Sequence, residues 1–150
     1  MKPKILLDVI TNYRHILLPD NKVLSIGRLL NSDILIPPNQ PNLTYAPEIY
    51  DIASKVSREH ALIRHDNSGS VFLTHKSKKN STYIGSRFDP YEEEVFDTIQ
   101  IFPGQYITLG VSYRFFLDQS KDLISLTNSK EKFRKRETNY DIDLSTASHH

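Results

Sequence analysis

At 150 residues, with 19 lysines and arginines against 18 aspartates and glutamates, the chain has room for one ordinary domain and almost no net charge. Eight tyrosines, seven phenylalanines and a hydrophobic fraction of 38% can build a packed core, which excludes a wholly disordered chain. Cysteine is absent, which excludes disulfides, thiolate metal sites and thiol nucleophiles, and the charge balance lacks the basic excess of a general nucleic-acid binder.

In chain order the sequence reads as short strands separated by turns. Lys4 to Ile10 is apolar and partly β-branched, and Arg14 to Leu18 follows after Thr11-Asn12. Pro19-Asp20-Asn21-Lys22 is a turn leading into Val23 to Ile26. The short apolar run Ile34-Leu35-Ile36 is stopped by Pro37-Pro38. Residues 37–54, with four prolines up to Pro47, read as a long loop insertion with a helical turn around Glu48 to Ala53. His60 to Arg64 and Ser70 to Thr74 flank Asp66-Asn67-Ser68-Gly69, a hairpin signal. Glu92-Glu93-Glu94 reads as a charged surface turn. Ile99 to Ile101 and Tyr106 to Leu109 flank a Pro-Gly turn, and Tyr113 to Leu117 closes the pattern.

Many short strands with frequent turns predict an all-β sandwich of two mostly antiparallel sheets. After Leu117 the composition turns polar and charged. The reading is one domain at residues 1–117, followed by a flexible linker or tail at 118–150. Apolar runs such as Ile5-Leu6-Leu7 are too short to cross a bilayer, and Met1 to Ile5 lacks a secretory leader's apolar stretch, so an intracellular protein without a membrane partner is expected.

Three short signals stand at strand ends: Gly27-Arg28, Ser57-Arg58-Glu59-His60 and Lys79-Asn80-Ser81-Thr82. Each is weak alone, and their order and spacing make the joint signal specific. With Gly104-Gln105-Tyr106-Ile107-Thr108-Leu109-Gly110 closing the series, residues 4–117 resemble the forkhead-associated (FHA) domain family. Ser54-Lys55-Val56-Ser57-Arg58-Glu59-His60 is also similar, one residue shorter, to the subgroup in sarcolemmal membrane-associated scaffolds and checkpoint ubiquitin ligases. The chain departs from the family at Ser81, where the pattern Asn-Gly-Thr has glycine, a residue that often supplies a costly backbone conformation.

The resemblance implies a phosphothreonine-peptide recognition module, not an enzyme, without cofactor or metal. Its partner would be a phosphorylated protein in a signalling or DNA-damage assembly, in the nucleus rather than the cytoplasm. It implies that Arg28 and Ser57 hold the phosphate, flanked by Arg58 and Lys79, and that Asn80 bonds the peptide backbone. Lys55 would read the third residue after the phosphothreonine. Gly27, His60 and Thr82 would support the loops. The alternative is a phosphate-independent interaction scaffold of the same fold using the loop 37–54.

The chemistry of the residue types agrees. A phosphothreonine carries roughly −1.5 to −2 charges and three acceptor oxygens. A guanidinium and a small hydroxyl on separate loops suit such a group. Among rival readings, Ser57 and His60 at a spacing of three do not make a nucleophile–base pair. His60 and His65 should point to opposite faces of one strand, which disfavours a metal site. Lys76-Ser77-Lys78-Lys79 reads as a solvated loop that raises the local positive potential. Nucleic acid is expected as a partner only through the basic segment 130–136.

Overall fold

The computed structural model describes residues 2–86 and 91–119. Eleven strands and one short helix follow each other in the order β1 (Lys4–Asp8), β2 (Arg14–Leu17), β3 (Val23–Gly27), β4 (Ile34–Leu35), α1 (Pro47–Ala53), β5 (Ala61–His65), β6 (Val71–His75), β7 (Thr82–Ser86), β8 (Glu93–Glu94), β9 (Thr98–Ile101), β10 (Gln105–Leu109) and β11 (Tyr113–Gln119). They form a six-stranded sheet, β2-β1-β11-β10-β7-β8, and a five-stranded sheet, β4-β3-β5-β6-β9. Every pairing is antiparallel except the short contact of β3 with β4.

Alternation fixes which side chains enter the core. Ala61, Ile63 and His65 are buried on β5 with half-buried residues between them, and Val71 and Leu73 repeat the pattern on β6. Tyr113, Phe115 and Leu117 do the same on β11 opposite them, joined by Leu6, Ile26, Ile107 and Leu109. Full burial of one such aliphatic or aromatic side chain stabilises the fold by about 1.5–3 kcal/mol. The β5–β6 hairpin turns where the sequence signals it. The Asp66 carboxylate accepts the backbone N–H groups of Ser68 and Ser70 at 3.0 and 2.9 Å, and Gly69 takes φ 92°.

Four details differ from the expected pattern. β1 ends at Asp8, because its buried carboxylate accepts the Thr11 N–H and Asn12 adopts φ 64°, which turns the chain before Ile10. Glu93 and Glu94 form a two-residue edge strand on β7, and Glu92 accepts the Thr108 hydroxyl at 2.7 Å, so the triplet is no free turn. β11 runs two residues beyond Leu117, with Asp118 and Gln119 paired to Ile5 and Lys4. The helical turn in the insertion is a seven-residue helix with proline in its first turn, burying Ala53 and laying Ile49 and Ile52 against the core. The predicted tail beyond Gln119, with its basic segment, lies outside the described residues.

Candidate functional site

The register brings three loops to one pole of the sandwich. β3 ends where β5 begins (Ile26 opposite Ala61), and β5 begins where β6 ends (Ala61 opposite His75). The segments after β3, before β5 and after β6 are therefore neighbours. Between them lies a cleft of about 380 Å³ lined by Arg28, Ser57, Arg58, Glu59, Lys76, Ser77, Lys78, Lys79 and Asn80. Five of these side chains are cationic and one, Glu59, is a carboxylate; none of the five makes an ion pair among the described residues. An anion entering the cleft meets charges that are not already neutralised.

Arg28 is held by its Nε, which donates to the Val56 carbonyl at 2.5 Å, so the two terminal nitrogens remain for a ligand. Its backbone N–H donates to the Ser57 carbonyl, and that of Leu29 to the Arg58 carbonyl. Gly27 lets the strand end approach this closely, since a Cβ there would lie 2.0 Å from the Arg58 carbonyl oxygen.

Ser57 stands at the centre of a hydroxyl and amide cluster. Its Oγ is hydrogen-bonded to the Ser77 Oγ and accepts from Asn80 Nδ2 at 2.9 Å. Ser77 Oγ in turn accepts the backbone N–H groups of Lys79 and Asn80 at 3.2 and 3.0 Å, which folds the β6–β7 loop over the cleft. The Oδ1 of Asn80 is left without a protein donor among the described residues.

His60, fully buried, braces the loops. Its Nδ1 accepts the Ser57 N–H at 3.0 Å, so Nε2 carries the proton and donates to the Ser81 carbonyl at 2.9 Å. Its carbonyl accepts from the N–H groups of Lys76 and Ser77. Burial lowers its pKa to about 4, which keeps the ring neutral. Thr82 is buried too, with its hydroxyl 2.8 Å from His75 Nδ1, and the rings of His75 and His60 meet edge to face. The Ser81 carbonyl also accepts the N–H of Gly110, which takes φ 68°. Ser81 itself is not among the described residues with positive φ, so replacing the family glycine costs no strain here.

Of the sequence-predicted residues, Arg28, Ser57, Arg58, Lys79 and Asn80 meet in the cleft, with Gly27, His60 and Thr82 behind it. Lys55 does not line it: its carbonyl abuts Gly110. Ser77 was legible only as part of a solvated loop, yet it ties that loop to Ser57. His60 and His65 are separate, as the former faces the loops around the cleft and the latter donates from Nδ1 to the Leu17 carbonyl on another strand. No group of three or more metal-ligating side chains gathers among the described residues, and no described helix is long and apolar enough to cross a membrane.

Comparison with known proteins matches this arrangement to one family. The FHA domain pattern fits residues 24–110, more than half of the chain. No curated protein matches the chain in sequence. Among solved structures, the FHA domain of CT664 from Chlamydia trachomatis is similar with a TM-score of 0.59 at 19% identity, over 80% of this chain and 100% of that one. Mycobacterium tuberculosis EmbR, solved with a low-affinity phosphopeptide, is similar with a TM-score of 0.55 at 20% identity, over 80% of this chain and 25% of that one. The N-terminal FHA domain of Saccharomyces cerevisiae Rad53p, in complex with a phosphothreonine peptide, gives 0.52 at 18% identity, over 79% of this chain and 94% of that one. At such identities the structural likeness speaks for the fold, and the pattern match speaks for the family. The chain belongs to the FHA domain family.

Proposed function

We propose that this domain binds a phosphothreonine-containing segment of a partner protein in the cleft between Arg28, Ser57 and the β6–β7 loop. The observation that carries the reading is the disposition of Arg28, whose Nε is anchored on a backbone carbonyl while its terminal nitrogens stay uncommitted beside the Ser57 hydroxyl. A guanidinium held from behind loses little freedom on binding and can meet a phosphate with two parallel donors. Asn80 Oδ1 is then available to a peptide N–H, and Arg58 and Lys79 flank the anion. Two of the solved relatives hold phosphopeptides, which supports the same use here. The cleft serves recognition rather than catalysis, and a signalling or DNA-damage assembly is the setting this reading favours.

The test is a degenerate phosphothreonine peptide library screened against the chain and its Arg28→Ala variant. Micromolar-range binding to phosphorylated members, weakened at least tenfold in Arg28→Ala, is expected, because hydrogen bonds to charged groups contribute about 1.5–3 kcal/mol each. Equal capture of phosphorylated and unphosphorylated libraries overturns the reading. Partner binding that survives Arg28→Ala but not deletion of residues 37–54 would instead favour a phosphate-independent scaffold.

A further inference from the structure

The hydrogen bonds around Ser77 leave a determinate place for each hydroxyl proton. Ser77 Oγ accepts two backbone N–H groups, from Lys79 and Asn80, which occupies both of its lone pairs. Its own proton therefore goes to Ser57 Oγ, its remaining partner. Ser57 Oγ also accepts from Asn80 Nδ2, so its lone pairs are filled in turn. The Ser57 proton has no acceptor among the described residues and is left for whatever enters the cleft.

We propose that Ser77 is a positioning residue that fixes the Ser57 hydroxyl as a donor, making the cleft selective for the dianionic form of a phosphate ester. The proposal deepens the phosphothreonine reading and rests on it. Five of the six charged groups around Ser57 are cationic donors, and the sixth, the Glu59 carboxylate, is common to every protein compared below. Arg28 faces Ser57 from the loop after β3, Arg58 and Glu59 from the segment before β5, and Lys76, Lys78 and Lys79 from the loop after β6. His60 approaches from behind and also spends its acceptor nitrogen on the Ser57 N–H. A monoanionic phosphate brings a P–O–H that needs an acceptor, and the Ser57 hydroxyl cannot provide one while Ser77 and Asn80 fill its lone pairs. A dianion brings acceptors alone.

The experiment measures affinity for one phosphothreonine peptide between pH 5 and 7.5, across the second ionisation of the phosphate at about 6. Wild type, Ser77→Ala, Ser77→Thr, Ser57→Ala and the double Ser57→Ala/Ser77→Ala variant are compared, each checked for a cooperative thermal melt. At pH 7.5, Ser77→Ala should weaken binding roughly tenfold, the effect of one hydrogen bond to a charged group, and Ser77→Thr should restore most of it. The wild-type advantage should shrink toward about twofold at pH 5, because a freed Ser57 hydroxyl can accept from the P–O–H; the other groups around the cleft are common to both proteins and drop out of the ratio. The double variant should bind no more weakly than Ser57→Ala alone. An advantage constant across pH, fully additive losses, or unchanged binding in Ser77→Ala each overturns the proposal and leaves phosphothreonine binding intact. Wild type that binds no phosphothreonine peptide overturns the underlying reading and the proposal together.

Discussion

The carbonyl oxygen of Arg58 occupies the space that a side-chain carbon on Gly27 would need: a Cβ there would approach it to 2.0 Å. The two residues lie on different sides of the insertion, and their contact seats the Arg28 backbone on the Ser57 segment. Gly27→Ala should therefore push these segments apart, destabilising the domain by about 1–3 kcal/mol as overpacking does. Urea denaturation reads the stability. The same variant should lose phosphopeptide affinity even under conditions where it is fully folded.

On the proposed phosphopeptide reading, the exposed lysines of the β6–β7 loop should act through potential rather than contact geometry. Replacing Lys76, Lys78 and Lys79 together with alanine should weaken a phosphopeptide by roughly 3- to 10-fold at low salt, exposed charges contributing about 0.3–0.5 kcal/mol each. The difference should fade above physiological ionic strength, where charges more than about 8 Å apart are screened. Titrations at two salt concentrations settle it; a loss that is insensitive to salt would mean that the lysines touch the ligand directly.

Much of this was legible in the residues themselves. Gly27-Arg28 and Ser57-x-x-His60 each sit at a strand end and need no long-range knowledge to be placed. Ser77 was not legible, because its part depends on a loop closing so that one hydroxyl meets two N–H groups and a serine twenty positions away. Ser81 looked like a defect in the sequence, and only its backbone conformation shows otherwise. Asp8 and Tyr113 could not be paired in advance at all, since 105 residues separate them. Periodicity placed the strands, but not their last residues: β1 stops early for a side-chain turn, and β11 runs on because β1 continues to pair with it.

Asp8 is fully buried and accepts the Tyr113 hydroxyl at 2.5 Å and the Thr11 N–H at 2.9 Å. Burial raises its pKa from 3.8 to about 7, more than these hydrogen bonds lower it, and drives the Tyr113 phenol far up as well. The fold thus prefers the protonated carboxyl, so its contribution is full below pH 3.8 and is lost as pH rises through about 7. Relative to Asp8→Asn, the wild type should lose stability between pH 4 and 7.5. Chemical denaturation of both proteins at four pH values tests this, and parallel pH profiles would contradict it.

His60 works in the other direction. Burial, outweighing the hydrogen bond to Ser81, holds its pKa at about 4 against an ordinary 6.5. The unfolded chain binds the proton first, so this contribution is present above pH 6.5 and lost as pH falls toward 4. His60→Gln should be less stable than wild type at pH 7.5 by about 1–3 kcal/mol, through its disrupted buried hydrogen bonds, with the gap narrowing by pH 5. His15, also lowered to about 4 by burial, is present in both proteins and cancels in the comparison.

The register of β1 with β11 places Lys4 beside Gln119, while Asp8 lies beside Phe115, near the pole that holds the cleft. The described strands thus begin and end at the far pole, next to the β5–β6 hairpin turn, where Lys4 Nζ donates to the Gly69 carbonyl. A label, surface anchor or fused protein joined at either of these points would hang from the back of the domain, with its mouth turned toward solution.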